Sequence, residues 1–219
     1  MGVLGLEKTG LSVIKAVQQA GGLLICWDDN KLKRDNLKVD GVTVRDLNNK
    51  KIIRELDLLV VSPGVPHLYP EAHPIVTLAY ELNIRVDNDI GLFFSNHVQE
   101  EYEALGDPPK IIAITGSNGK STATALTNHV LSKFFSDVEM GGNIGKPVLE
   151  LSPLKEGSIR IIELSSYQIE LAKCLAPNLA AFINFSPDHL QRHGGLGGYF
   201  YAKARLFLEN LTDVSVINI

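Results

Sequence analysis

Short apolar runs rich in β-branched residues alternate with helical patterns along the whole 219-residue chain. This alternation is typical of βαβ units, in which helices cover both faces of a parallel sheet. The predicted fold class is therefore α/β. Strands are predicted at residues 23–27, 42–44, 58–62, 85–87, 111–115, 159–164, 179–184 and 214–219. Helices are predicted at residues 11–20, 50–56, 74–82 and 122–135.

The apolar rhythm fades between Ser95 and Pro109, where the sequence is polar and acidic and ends in Gly106 and a proline pair. Such a segment favours a helical connector between two domains. We therefore expect a first domain at residues 1–94, a connector at 95–109 and a second domain at 110–219. Because a predicted strand reaches the last residue, we expect the second domain to be incomplete.

Charge and composition limit the classes of partner. With 21 basic against 25 acidic side chains, the chain has no general attraction for nucleic acid or anionic lipid. Its apolar runs fall far short of the roughly 20 residues that a membrane span needs, and no signal segment opens the chain. We expect a cytoplasmic protein. Cys26 and Cys174 are isolated, which favours small buried side chains over a disulfide or a zinc site.

The sequence Thr-Gly-Ser-Asn-Gly-Lys-Ser-Thr at residues 115–122 lies between a predicted strand and a predicted helix. Glycines in such a loop let backbone N–H groups and the helix N-terminus point at phosphate oxygens. The lysine supplies a charge and the next serine a Mg²⁺-ligating hydroxyl, so the loop predicts a site for ATP and Mg²⁺. Ile114 replaces the glycine usual at that position, which makes the loop shorter than in most P-loop proteins. The predicted ATP-binding residues are Gly116, Ser117, Asn118, Gly119, Lys120, Ser121 and Thr122.

A weaker glycine loop lies near the start of the chain, where Gly5 and Gly10 flank Glu7. It is a degenerate dinucleotide fingerprint, because Glu7 replaces the glycine that lets the backbone approach a pyrophosphate. An NAD site is therefore not expected.

Several motifs together resemble the Mur ligases, the enzymes that add amino acids to the peptidoglycan precursor. After the shortened loop come Gly-Gly-Asn-Ile-Gly at 141–145, Glu-Leu-Ser-Ser-Tyr-Gln at 163–168 and Asn-Phe-Ser-Pro-Asp-His-Leu at 184–190. Tyr199 and Ala-Lys-Ala-Arg at 202–205 follow in the family's order. Ser-Pro-Gly at 62–64 and Asp-Ile-x-Leu-Phe at 89–93 point the same way, so the match spans essentially the whole chain.

The resemblance implies a Rossmann-like first domain that binds the UDP of the precursor and a P-loop second domain that binds ATP. Family members carry a third, carboxyl-terminal domain, which we expect to be absent because nothing in the chain matches it. The stretch 163–168 most resembles the D-glutamate-adding branch of the family. That branch joins D-glutamate to UDP-N-acetylmuramoyl-L-alanine through an acyl phosphate. We expect a monomer with these small-molecule partners and no nucleic acid or membrane partner.

The resemblance also implies roles for single residues. From the residue alone, Glu163 would be an exposed strand-end glutamate and Lys203 a solvated helix lysine; in the family the matching lysine is N-carbamylated by CO₂. The implied catalytic residues are Lys120, His189 and Lys203. The implied metal ligands are Ser121, Glu163, His189 and Lys203. The implied substrate contacts are Lys8 and Thr9 at the pyrophosphate, Asp28 with its neighbours Asp29 and Asn30 near the uracil or ribose, Gly64 at the nucleotide, and Asn143.

Two alternatives remain open at the level of sequence. A related ligase, such as another Mur enzyme or a folylpolyglutamate synthase, would share the ATP loop but replace the stretch 163–168. A chain without the third domain would instead be a nucleotide- and precursor-binding module that does not turn over.

Overall fold

The computed structural model of the protein describes residues 1–96, 106–208 and 213–218. The chain folds into two compact units, Met1–Asp89 and Ile90–Ile219. Each unit has a parallel sheet with helices, which confirms the predicted α/β class. Most of the connector predicted at residues 95–109 lies outside the described residues.

The first unit contains a five-stranded parallel sheet with the order β3-β2-β1-β4-β5. Because the chain runs outward from β1 to β3 and then returns to β4, the order reverses between β1 and β4. Ligands of such sheets bind in the crevice at the carboxyl ends of the strands beside that reversal. The strands are β1 (Gly2–Leu4), β2 (Leu24–Trp27), β3 (Val42–Val44), β4 (Leu58–Val61) and β5 (Arg85–Asp87). The helices are α1 (Lys8–Gln19), α2 (Lys31–Asp35), α3 (Lys50–Ile53) and α4 (Pro74–Glu81).

Side-chain caps and one close approach fix the local structure of this unit. Asn30 and Asn49 begin α2 and α3 by accepting a hydrogen bond from the backbone two residues on. Helix α1 comes so near the first loop that a Cβ on Gly10 would lie 1.8 Å from the carbonyl oxygen of Gly5. Gly10 is therefore needed for this packing, the role of the third glycine in a nucleotide-binding fingerprint.

The second unit also contains a five-stranded parallel sheet, with the order β10-β9-β6-β8-β7. Its first strand, β6, is central and lies between β8 and β9, so the loop after β6 opens at the reversal of strand order. The strands are β6 (Lys110–Thr115), β7 (Val138–Gly142), β8 (Ile159–Glu163), β9 (Leu179–Phe182) and β10 (Val214–Ile217). The helices are α5 (Asp89–Ser95), α6 (Lys120–Leu131), α7 (Ser166–Leu171) and α8 (Leu196–Leu208).

Strand β7 was not predicted from the sequence, because its residues Val-Glu-Met-Gly-Gly lack a β-branched apolar run. It forms in the structure as an edge strand that pairs with β8. Residues 90–94 were expected to belong to the first domain. In the structure Ile90, Phe93 and Phe94 pack instead in the core of the second unit, with Ile111 and Leu206.

Two further sequence inferences concern thiols and membranes. Neither cysteine forms a disulfide among the described residues; Cys26 is buried as expected, whereas Cys174 is only partly buried. Burial of Cys26 raises its pKa to about 12. Among the helices that the structure describes, none is long and apolar enough to cross a bilayer.

Candidate functional site

The phosphate loop follows β6 and leads directly into α6. Gly119 adopts a left-handed conformation (φ 74°) immediately before the helix, which a residue with a side chain adopts less readily. Gly116 passes so close to the residue that follows β9 that a Cβ would lie 2.6 Å from Cγ1 of Ile183. These two glycines let the loop turn tightly at the helix N-terminus, as an anion-binding loop requires.

A network from the segment after β9 holds the loop in place. The Asn184 carboxamide oxygen accepts hydrogen bonds from the backbone N–H groups of Ser117 (3.1 Å) and Asn118 (2.9 Å). The Ser117 hydroxyl donates to the Ser186 carbonyl (2.8 Å) and lies 3.0 Å from the Tyr199 hydroxyl. Asn184, Ser186 and Tyr199 lie in the quoted motifs, but their part in holding the loop was not deduced from sequence.

Lys120 folds back over the loop that precedes it. Its ammonium group donates to the carbonyl oxygens of Gly116 (3.0 Å) and Ser117 (2.9 Å). The positive charge is therefore held at the mouth of the loop, beside the first turn of α6. Both features favour a negatively charged ligand.

Glu163 ends β8 and is 1% exposed, so its description as an exposed strand-end glutamate is wrong. Its two carboxylate oxygens accept hydrogen bonds from the Ser121 hydroxyl (2.9 Å) and the Asn143 amide (2.8 Å). Gly142, with φ 100°, brings its strand so close that a Cβ would lie 2.4 Å from the Glu163 carbonyl oxygen. The motifs at 115–122, 141–145 and 163–168 thus meet at one point.

Hydroxyl and carboxylate oxygens are the ligands that Mg²⁺ prefers, so Ser121 and Glu163 fit this ion. Within residues 1–96, 106–208 and 213–218, no group of three or more His, Cys, Asp or Glu side chains is placed to hold a metal. In nucleotide sites, phosphate oxygens and water commonly complete the Mg²⁺ shell beside one or two protein ligands.

Lys203, on α8, is 1% exposed and is not the solvated lysine that its residue type suggests. Its ammonium donates to the Gly116 carbonyl (2.8 Å) and lies 4.8 Å from the centre of the Tyr199 ring. Burial, together with the nearby Lys120 charge, lowers the pKa of Lys203 to about 7, and Asp188 opposes this shift. Near neutral pH, a large fraction of this amine is therefore uncharged.

His189 stands apart from this cluster. Its backbone is left-handed (φ 50°), which is uncommon for a residue other than glycine and is found repeatedly at functional sites. The half-exposed imidazole lies 3.3 Å from an Asp188 carboxylate oxygen, and its ring centre is 5.2 Å from that of Tyr167. Among the described side chains, His189 does not join Glu163 in a cluster of metal-binding residues.

The first unit contains a cleft of about 290 Å³ at the reversal of its strand order. Asp28 and Gly64, both predicted substrate contacts, line it, whereas Lys8 and Thr9 lie in the adjoining first turn of α1. The remaining lining residues are Leu4, Gly5, Glu7, Asp29, Lys33, Ser62, Val65, Pro66 and His73.

Asp28 is built into this cleft. Its carboxylate accepts hydrogen bonds from the backbone N–H groups of Leu6 (2.8 Å) and Asn30 (2.9 Å). Glu7, which replaces a fingerprint glycine, lies at the cleft wall and pairs with Lys33 at 2.6 Å. The negative charge of Glu7 is thus matched by a lysine on α2.

A carboxylate and an imidazole complete the cleft wall. Asp29 was expected near the uracil or ribose as a neighbour of Asp28, whereas His73 was expected to be a loop or core residue. His73 Nε2 lies 2.8 Å from the Asp29 carboxylate, and His73 Nδ1 accepts a hydrogen bond from the Ile75 N–H. The hydrogen bond from His73 lowers the pKa of Asp29. No local pattern signals the pair, because the two residues are far apart in the chain.

A phosphate loop on one parallel sheet and a cleft at the reversal of another define an α/β protein with two units, an architecture typical of nucleotide-binding folds. A family model described as the Mur ligase middle domain matches residues 114–219. Together with curated relatives that align over almost the whole chain, this match makes the chain similar to the Mur ligases.

Over 217 residues the chain is 48% identical to the UDP-N-acetylmuramoylalanine–D-glutamate ligase of Ruegeria pomeroyi, covering 99% of this chain and 47% of the relative. It is 46% identical to the protein of the same name from Cereibacter sphaeroides, with the same coverage. The chain thus spans about half the length of the curated relatives it matches. The crystal structure of UDP-N-acetylmuramate-alanine ligase MurC from Thermotoga maritima shares the fold, with TM-score 0.52 and 19% identity over 99% of this chain and 48% of that one.

Proposed function

We propose that this chain forms the precursor- and ATP-binding part of a cytoplasmic ligase that adds D-glutamate to UDP-N-acetylmuramoyl-L-alanine. The observation that carries the proposal is the meeting of Lys120, Ser121, Glu163 and Lys203 around one phosphate loop. The names of the curated relatives support the choice of substrates.

The proposed chemistry begins with ATP bound at residues 116–122. Backbone N–H groups and the Lys120 ammonium hold the phosphates and neutralise the charge on the group that is transferred. The precursor carboxylate takes the γ-phosphoryl group and becomes an acyl phosphate, with ADP as the leaving group. The D-glutamate amine then attacks the acyl carbon, phosphate leaves, and the amine gives up a proton.

Mg²⁺, when bound, would offset the negative charge of the phosphates, and Ser121 and Glu163 are the residues that would hold it. Asn143 fixes the direction of the Glu163 carboxylate through its amide, and the adjoining glycine lets the two strands approach. We propose His189 as a further metal ligand and Asn143 as a contact to the precursor.

The first unit would hold the UDP group of the precursor. Its cleft opens at the reversal of strand order, where nucleotides bind in open α/β sheets. Asp28, fixed by two backbone N–H groups, would receive the uracil or ribose, and Gly64 would adjoin the nucleotide. Lys8 and Thr9 would contact the pyrophosphate from the N-terminus of α1.

We also propose that Lys203 carries an N-carboxyl group. The neutral amine attacks CO₂, a nitrogen–carbon bond forms, and one proton leaves to solvent, so an anionic carbamate replaces the amine. Burial supports this step because it lowers the pKa of Lys203 to about 7, and only the neutral amine reacts. The modified side chain would help to place a metal ion.

With ¹³C-labelled bicarbonate, one carbamate carbonyl signal is expected in the ¹³C NMR spectrum of the chain at pH 8. The signal should weaken as the pH falls below about 7, because protonation of Lys203 removes the nucleophile. Lys203→Ala should abolish it, whereas replacement of the exposed Lys133 by alanine should leave it unchanged. A spectrum of the wild-type chain without this signal at pH 8 would contradict the modification.

Phosphate release tests the ligase itself. With the chain and ATP, release is expected only when UDP-N-acetylmuramoyl-L-alanine and D-glutamate are both present, and L-glutamate should not replace the D-isomer. Release with a different amino acid would favour another ligase of the family. Binding of ATP and precursor without release would identify a module that does not turn over.

A further inference from the structure

A buried chain of hydrogen bonds joins helix α7 to the segment that carries His189. His193 Nε2 lies 2.9 Å from the Ser166 hydroxyl oxygen, and His193 Nδ1 lies 3.0 Å from a Glu170 carboxylate oxygen. His193 is 2% exposed and Ser166 is 3% exposed. None of these three residues was given a role by the sequence.

The chemistry of the groups sets the direction of these hydrogen bonds. Because a carboxylate only accepts, the proton between His193 and Glu170 belongs to Nδ1 of the imidazole. In the neutral ring, Nε2 then accepts from the Ser166 hydroxyl. Both ring nitrogens are therefore engaged by α7, whose first turn begins three residues after Glu163.

The His193 ring also packs against the aromatic side chain that contacts His189. Tyr167 stacks on His193 with ring centres 5.2 Å apart and an interplanar angle of 13°. The same Tyr167 ring lies 5.2 Å from the His189 ring and 4.6 Å from the Arg192 guanidinium carbon. His189, with its uncommon backbone conformation, is thus linked to His193 through Tyr167.

A second contact leads from His193 to the phosphate loop. The ring centre of His193 lies 5.4 Å from that of Tyr199. Tyr199 is 1% exposed, and its hydroxyl lies 3.0 Å from the Ser117 hydroxyl. Its ring also faces the Lys203 ammonium at 4.8 Å. His193 therefore touches both aromatic rings that connect to proposed functional residues.

Helix α7 is fixed at its other end as well. The Arg205 guanidinium on α8 donates to the carbonyl oxygens of Ile169 and Ala172 (2.7 and 2.8 Å) and to that of Glu170. Since α7 is held in this way, it provides a firm base for the imidazole.

We propose that His193 is a positioning residue, which sets Tyr167 and Tyr199 and through them His189 and Ser117. The inference rests on the proposed function, because it concerns the same metal and phosphate site. The order Ser166, His193, Glu170 is also that of a hydrolytic triad. Burial of the serine and the imidazole leaves no access for a substrate, so the three residues serve to hold structure.

The test compares variants of the 219-residue chain that distinguish the contribution of the His193 ring from that of its hydrogen bonds. His193→Phe keeps an aromatic ring and removes both hydrogen bonds, and Glu170→Gln removes the carboxylate. His193→Asn keeps a donor toward Glu170 and serves as the conservative variant. His129→Gln, an exposed histidine on α6, is the matched control.

The first readout is the NMR spectrum without ligand. In His193→Phe, the Ser117 amide and the His189 ring signals should both shift, whereas the His129→Gln spectrum should keep them in place. Glu170→Gln and His193→Asn should give smaller shifts in the same direction. If His193→Phe does not fold, these two variants alone test the proposal. Unchanged Ser117 and His189 signals in all three variants would overturn the proposal.

The second readout is calorimetric binding of the ATP analogue AMPPNP with and without Mg²⁺. Direct hydrogen-bond partners of metal ligands change metal affinity by roughly ten- to a hundredfold. Because His193 reaches His189 through Tyr167, His193→Phe should weaken the Mg²⁺-dependent binding by about tenfold, the lower end of that range. Equal losses with and without Mg²⁺ would show an effect on the phosphate loop alone and would refute the positioning of His189, and unchanged binding in both conditions would refute the positioning role. If the wild-type chain binds no AMPPNP, the proposed function fails, and the NMR result alone decides the role of His193.

Discussion

Lys120→Ala is expected to lower the affinity for Mg²⁺-AMPPNP by about a hundredfold. An ammonium on phosphate makes charge-assisted hydrogen bonds worth roughly 1.5 kcal/mol or more each, and loss of two of them costs about 3 kcal/mol. Since about 1.4 kcal/mol corresponds to a tenfold change, the dissociation constant should rise by two powers of ten. Calorimetric titration of both proteins at one ionic strength measures this change.

Lys133→Ala is the control for this experiment, because Lys133 is an exposed lysine just beyond the other end of α6. It should leave the affinity unchanged, which separates the local charge of Lys120 from the net charge of the protein. Far-ultraviolet circular dichroism checks that the loop variant is folded. A Lys120→Ala chain that is folded and binds AMPPNP as wild type does would show that residues 116–122 are not the nucleotide site.

The phosphate loop could be predicted from sequence because its residues are neighbours in the chain. A strand, two glycines, a lysine and a helix follow one another, so spacing and chemistry appear in the same eight residues. The structure adds that Gly116 is packed against Ile183 and that Asn184 holds the loop amides. These contacts join residues more than sixty positions apart, and nothing local encodes them.

Expectations based on residue type alone, without the surrounding motif, were wrong about the burial of two charged side chains. Glu163 and Lys203 belong to residue types that are mostly exposed, yet each is 1% exposed here. Arg160, on β8, is fully buried as well, where it donates to the Ser152 carbonyl and pairs with Asp137 at 3.0 Å. A charged residue can be buried only when such partners converge, and the fold alone brings them together.

The pairs that line or support the sites were missed for the same reason. His73 meets Asp29 across 44 positions, and His193 meets Ser166 across 27. A histidine in a sequence without its partner is most simply taken as a loop or core residue. In the structure His193 is indeed a core residue. Its two ring nitrogens contact Glu170 and Ser166, and its ring face stacks on Tyr167.

Gly198→Ala is expected to destabilise the second unit by about 3 kcal/mol, whereas Gly197→Ala should stabilise it slightly. Both glycines lie in the first turn of α8, but their surroundings differ. A Cβ on Gly198 would lie 1.8 Å from the backbone carbonyl oxygen of His193, and one on Gly197 would meet nothing within 4 Å. A backbone atom cannot rotate away as a side chain can, so α8 or the His193 segment must shift.

Gly197→Ala is the matched control for Gly198→Ala. Both variants add one methyl group, and both reduce the conformational freedom of the unfolded backbone by the same amount. Urea unfolding followed by far-ultraviolet circular dichroism gives the free energy of unfolding for each protein. In Gly197→Ala the gain in helix propensity should raise the free energy of unfolding by up to about 1 kcal/mol. If both variants gave the same stability, α8 would not approach the His193 carbonyl as described, and the packing that carries Tyr199 and Lys203 to the phosphate loop would be wrong.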